Sequence, residues 1–252
     1  MRVLEISEEK MQMKKGLILY NVVMFEICLM TGMVVTTSIL LLLGISVGWI
    51  NFLIPLFLCA WYFYNRTENC AEWIKLCIIS VVVFGIFVFF AGSIFDRTWD
   101  GAAYHKQAIG LLKEGWNPVY FSSDEYNVMI GSIQEGGTNP LYWAEAYPKS
   151  TWYFAAVIYF LTGNIETGKA YSLLFMFITF GLVYDWLIEF ELKKYYRVIL
   201  SFLIALNPIS LAQFDSYYID GVATCVLILL ILYLPTLLVL ISVIGLSKSS
   251  FK

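Results

Sequence analysis

Two carboxylates and the only histidine of the chain share one short stretch, Phe95-Asp96-Arg97-Thr98-Trp99-Asp100-Gly101-Ala102-Ala103-Tyr104-His105. In-line transfer of a sugar from a phosphate leaving group needs a carboxylate as base for the acceptor, or one to hold a metal on the phosphate. Asp100 suits that work, because it opens an amphipathic segment where the chain leaves a long apolar one. It equally suits a helix N-cap. Asp96 reads as a boundary charge. His105 lies one turn beyond Asp100, within reach of a phosphate or sugar, or is an ordinary surface polar residue.

Other polar residues group near the ends of apolar segments. Asp220, in Tyr217-Tyr218-Ile219-Asp220-Gly221, stands where a long apolar helix begins. A carboxylate near membrane depth is costly and marks a functional site by default; the plainer reading is a helix cap, with Asp215 a solvated neighbour. Glu26 falls inside the first apolar segment and receives no catalytic role. Glu145, Pro148 and Lys149 close the polar stretch, and Lys149 can pair with a lipid phosphate or snorkel as an interfacial anchor. Gly163-Asn164-Ile165-Glu166-Thr167-Gly168-Lys169-Ala170 nearly matches a phosphate-binding loop. Ala170 replaces the magnesium-binding hydroxyl, and no strand precedes it, so a turn between two helices is the preferred reading.

The elements that must position these groups are membrane helices. Of the 252 residues, 60% are hydrophobic and 14% charged, with a mean hydropathy of +0.75. A soluble domain carries about 25% charge. The net charge of −3 and the lack of a basic stripe exclude a nucleic-acid partner. Five cysteines, Cys28, Cys59, Cys70, Cys77 and Cys225, show no metal-type spacing, and none lies in the polar stretch. No cleavage site follows the first apolar segment, which is expected to stay as an anchor.

A membrane span takes about 20 residues. The block from Gly16 to Tyr64 therefore divides, at Gly44-Ile45-Ser46-Val47-Gly48, into helices over 17–43 and 49–64, and a third runs over 74–95. Arg2, Lys10, Lys14, Lys15, Arg66 and Lys75 flank these on one side, which is cytoplasmic by the positive-inside rule. Asp96 then emerges outside. Residues 151–161 form only half a span and are expected as a juxtamembrane or re-entrant helix. Further spans follow over 169–189, 197–214 and 220–244. The fold class is an all-α polytopic membrane protein with about six transmembrane helices. Residues 1–95 form a three-helix membrane segment, 96–167 an extracytoplasmic loop with juxtamembrane helices, and 168–252 a second three-helix segment. Both termini are expected in the cytoplasm, so the sequon at Asn65 is discounted.

Within the loop, Thr98 or Asp100 can cap a helix over 101–114. Tyr104, Ala108, Leu111 and Leu112 line one apolar face, and such a helix would lie flat on the bilayer. Gly115 ends it, Trp116-Asn117-Pro118 forms a turn, and 122–139 reads as a mobile loop.

Taken together, these residues resemble the GT-C glycosyltransferases, polytopic enzymes that use polyprenyl-phosphate-linked sugars; protein mannosyltransferases and lipid A aminoarabinose transferases belong there. Asp100-Gly101-Ala102-Ala103-Tyr104 stands where the family has an Asp-Glu-x-x-Tyr-like motif opening a juxtamembrane helix. Glu145, Pro148-Lys149 and Leu161-Thr162-Gly163 resemble the family's later acidic residue, its Pro/Lys pair and its Phe-Gly, with Lys169 as the basic residue that follows. Asn207-Pro208 and then Asp220 fit its later helix and outer Asp. The likeness spans 95–232. It implies Asp100 as catalytic carboxylate with Asp220 assisting, and Tyr104, His105, Glu145, Lys149 and Lys169 as substrate-binding residues. It further implies a divalent cation (Mg or Mn) at Asp100, a polyprenyl-phosphate sugar donor, a lipid or glycan acceptor, and a place in cell-envelope glycan synthesis at a bacterial plasma membrane. Gly101 departs from the family's second acidic residue, two helices precede the usual first one, and the sequence reads as a truncated form. The alternative class is a non-catalytic membrane protein, a transporter half or an assembly subunit.

Overall fold

The computed structural model describes residues 18–67, 69–129, 131, 144 and 147–249, with side chains as far as Leu234. Every described element is helical. In chain order these are α1 (Ile18–Leu42), α2 (Ile50–Tyr64), α3 (Cys70–Ser93), a π-turn (Gly101–His105), α4 (Lys106–Glu114), α5 (Ser123–Met129), α6 (Ser150–Thr162), a 3-10 turn (Ile165–Lys169), α7 (Ala170–Ile188), α8 (Lys194–Ala205), α9 (Pro208–Gln213) and α10 (Asp220–Ser249).

Among the described residues, three stretches are long and apolar enough to cross a membrane: Ile18–Leu42, Cys70–Ser93 and Ile165–Ile188. This makes the chain a membrane protein. The other apolar helices, Ile50–Tyr64, Ser150–Thr162 and the described apolar part of α10, Asp220–Leu234, are shorter. At 1.5 Å per residue the 15 residues of α2 reach only about 22 Å, against a hydrocarbon core of about 30 Å. The expected span over 197–214 is broken. Pro208 starts a new helix, and Asn207 caps it by accepting the Ser210 amide hydrogen at 3.1 Å.

α1 and α7 form the centre. They approach closely because Gly181 has no Cβ: one built there would sit 2.4 Å from Val23 Cγ2. α7 also packs against α3, α8 and α10, while α1 packs against α2, α3 and α6.

Two expectations for the polar segment change. The α6 helix does not lie flat at a surface. Trp152, Phe154, Ala155, Ala156, Val157 and Ile158 are all buried, and the helix is inserted among α1, α4 and the 3-10 turn. A 13-residue apolar helix cannot span, so it buries its surface inside the protein. The apolar face of α4 is likewise turned inward: Ala108, Ile109 and Leu112 are buried and the helix packs on α6. That face is not offered to a bilayer.

The ends of the long helices gather at this segment. Asn117 Nδ2 donates to Leu41 O at the end of α1 (2.8 Å), and Asn164 Nδ2 donates to Gly92 O near the end of α3 (3.0 Å). The start of α7 and the approach to α10 meet it too, through the contacts described next.

Candidate functional site

The segment is built on a buried charge cluster. Leaving α3, the chain extends through Ile94 and turns at Asp96, which is almost wholly buried. Its Oδ1 accepts the Thr98 amide (2.8 Å) and hydroxyl (2.7 Å) hydrogens, closing an Asx turn. Its Oδ2 accepts the Tyr217 amide hydrogen at 3.0 Å, and its own N–H donates to Glu166 Oε2 at 3.0 Å. Glu166 is flanked by two ammonium groups, Lys106 Nζ at 2.5 Å and Lys169 Nζ at 2.7 Å. Lys106 also donates to Asp96 O (2.9 Å) and Lys169 to Ile94 O. Two acids and two bases thus cancel, as buried charges must, and they tie the exit of α3 to α4 and to the start of α7.

On this base stands the helix that carries Asp100. Thr98 Oγ1 caps it by accepting the Gly101 amide hydrogen (3.1 Å). The first turn is a π-turn, with the Lys106 amide bonded to Gly101 O; such turns recur at functional sites. Gly101 is required by space: a Cβ there would lie 2.1 Å from Asp96 Oδ2 and 2.7 Å from Thr98 Oγ1. A second acidic side chain after Asp100 therefore has no room. As expected, Gly115, with φ +112°, ends α4.

Asp100 is half-buried. Asp100 and Tyr147 are polar neighbours of the Tyr104 phenol; burial above all, and then these groups, hold that phenol well above its usual range. Tyr147 stacks on Tyr104 at 5.1 Å, and Lys149 Nζ lies 3.4 Å from Tyr147 O. His105 Nδ1 accepts the Trp152 indole hydrogen at 2.7 Å. Burial pulls the imidazole down to about 4, against the opposite pull of Asp100 and Asp96. The ring is thus neutral, with its proton on Nε2. Its ring lies 4.3 Å from Tyr104 and 6.3 Å from Tyr217.

Asp220 stands at the start of α10, two residues beyond Tyr218. Burial and then the carboxylates of Asp100, Asp96 and Asp220 all raise the Tyr218 phenol. Asp220 itself is exposed and accepts a hydrogen bond from Gln213 Nε2 at 2.9 Å. Beside the cluster lies an open hollow of about 570 Å³, bordered by Ser93, Phe95, Asp96, Arg97, Thr98 and Asp215.

The structure thus brings together Asp100, Tyr104 and His105, with Lys149 beside the Tyr147 that stacks on Tyr104, while Asp220 pairs with Gln213. Lys169 is elsewhere: wholly buried, it clamps Glu166 and Ile94 and cannot touch a substrate. The near phosphate-loop is a turn, as its missing hydroxyl suggested, capped by Asn164. Glu145 lies outside the described residues. Asp96 is a hub rather than a boundary charge. Its signal was the Asp-x-Thr spacing of an Asx turn, and the i, i+3 spacing of Glu166 and Lys169 signalled their pair. Nothing local announced Tyr217, Tyr218 or Trp152.

Among the described residues no three His, Cys, Asp or Glu side chains converge to hold a metal. Asp100 offers one carboxylate, which suits only an ion whose shell is completed by substrate phosphate oxygens. No protein-family model matches the chain, nor does any curated protein or solved structure.

Proposed function

We propose that the chain is a membrane glycosyltransferase of the GT-C kind, moving a sugar from a polyprenyl-phosphate donor to a lipid or glycan acceptor in cell-envelope glycan synthesis or modification. The observation that carries the reading is the placement of Asp100. It is half-buried, immediately before the π-turn Gly101–His105 that follows the membrane-crossing α3, and it lies beside the Tyr104 phenol. A lipid-borne donor would arrive at such a place.

In this reading Asp100 takes the proton from the acceptor hydroxyl. The acceptor oxygen attacks the anomeric carbon from the face opposite the phosphate. The carbon–oxygen bond to phosphate breaks, polyprenyl phosphate leaves, and the anomeric centre inverts. Neutral His105, its Nδ1 engaged by Trp152, can serve as a hydrogen-bond donor through Nε2 and not as an acid. In this reading Lys149 would neutralise phosphate charge, and Tyr104 and Asp220 would orient the sugar. If Asp100 instead held a Mg or Mn ion entering with the donor, that ion would offset charge on the leaving phosphate. In the accompanying topology both termini lie in the cytoplasm of a bacterial cell and segment 96–167 lies outside its plasma membrane.

The test supplies purified, detergent-solubilised protein with mixed polyprenyl-phosphate sugars and follows release of polyprenyl phosphate, beside Asp100→Asn. Release that is lost in the variant supports the reading; equal release removes Asp100 from the chemistry.

A second reading, a non-catalytic transporter half, has its own observation. Glu26 in α1 is wholly buried with no hydrogen bond to either carboxylate oxygen among the described residues, and α8 and α9 form a broken helix. Movement of a labelled solute across vesicles with Asp100 replaced would favour it.

A further inference from the structure

The link between α4 and α5 has an unusual combination of properties. From Gly115 to Phe121 it carries no charge, and Val119, Tyr120 and Phe121 expose large apolar surface (44%, 56% and 45%). Three of its amides are nonetheless paired inside the link. Asn117 Oδ1 accepts the Val119 amide hydrogen (3.0 Å), and Asn117 O accepts those of Tyr120 (3.2 Å) and Phe121 (3.0 Å). Phe121 O accepts the indole hydrogen of buried Trp116 (2.9 Å). Pairing these three amides within the link lowers the cost of seating it where water is scarce, since each unpaired amide there costs several kcal/mol.

The link is also tied to the C-terminal end of α1. Asn117 Nδ2 donates to Leu41 O at 2.8 Å, and the Tyr120 hydroxyl donates to Leu42 O at 2.5 Å. Both carbonyls belong to the last turn of the membrane-crossing α1, where carbonyls lack helical partners. The surface continues through exposed Leu42, Leu43, Ile45 and Trp49 at the α1–α2 connection. An aromatic and aliphatic patch level with the end of a span has the composition of an interfacial belt.

We propose that the link Pro118–Phe121 is seated in the headgroup–acyl boundary of the lipid bilayer, with Val119, Tyr120 and Phe121 in contact with lipid. The link then does what the α4 face, spent on α6, does not: it holds the polar segment down on the membrane. The inference rests on the membrane character of the chain and is independent of any group-transfer chemistry.

The test places a photoreactive benzophenone amino acid singly at Val119, Phe121 and Asp124 of the full chain. Asp124 is the control, exposed and charged in the first turn of α5. The proteins are reconstituted in phosphatidylethanolamine–phosphatidylglycerol vesicles and irradiated, and adducts are identified by mass. Lipid adducts several-fold more abundant at Val119 and Phe121 than at Asp124 are expected. Equal yields at the three positions, cross-links within the chain, or cross-links to a second copy would each overturn the proposal. Tyr120→Phe, which keeps the ring but frees Leu42 O, should lower the adduct yield at Phe121.

Discussion

The Asp96 carboxylate and the Tyr217 amide, 121 residues apart, are joined by a 3.0 Å hydrogen bond in a buried site. This bond fixes the segment that carries Asp100 against the approach to α10. Without the carboxylate, the amides of Thr98 and Tyr217 would be left unpaired. Asp96→Ala should therefore lose about 3 kcal/mol of stability, since each buried orphan costs about 1–3 kcal/mol. Denaturant unfolding of the detergent-solubilised protein checks this, and a loss within error would mean that water replaces the carboxylate.

Gly101 is held to glycine by the same carboxylate. Gly101→Ala should cost about 1–3 kcal/mol, as overpacking does, and Gly101→Glu more. The glutamate variant is informative for another reason: it restores the acidic pair of the GT-C family yet should not raise polyprenyl-phosphate release. Thermal unfolding and the release assay, run side by side, read both effects.

The Glu166–Lys169 pair predicts non-additivity. Glu166→Ala leaves Lys169 charged and wholly buried, a loss of about 3–5 kcal/mol. Lys169→Met should cost a comparable amount, and the double variant clearly less than the sum. A double-mutant cycle measures the difference; simple additivity would show that the two charges are solvated independently.

His105 predicts a pH dependence. Its imidazole is held down to about 4 in the fold, mainly by burial, against an ordinary value of 6.5. Above pH 6.5 both folded and unfolded chains carry it neutral, and its stability is intact. As the pH falls from 6.5 towards 4 the unfolded chain binds the proton first, so stability falls, by up to about 3 kcal/mol. His105→Gln should flatten stability across that window; an unchanged slope would assign it to carboxylates instead.

The positions of the long apolar helices were legible because hydropathy and length alone determine them. The ends of α1 and α2 fall within about a residue of the expected 17–43 and 49–64. Which polar groups would pair was not legible. Asp96 looks like a boundary charge until Tyr217, far along the chain, supplies its third donor, and Lys169 looks available until the turn from Ile165 packs it under Ile94. The flat-lying character expected of α4 failed for a physical reason. Amphipathic spacing reveals that a face must be buried, and says nothing of whether lipid or protein does it.

The wide turn at Gly101–His105 sets the aim of Asp100 by counting residues. Each residue of a helix advances about 100° around the axis, and a π-turn adds one extra to the circuit. Shortening 101–103 by a single residue would let the turn relax to ordinary helix while α4 stayed docked on α6. Asp100 would then swing roughly 100° about the axis. Loss of one codon here would redirect the carboxylate as no substitution can, leaving every side chain of the site in the sequence.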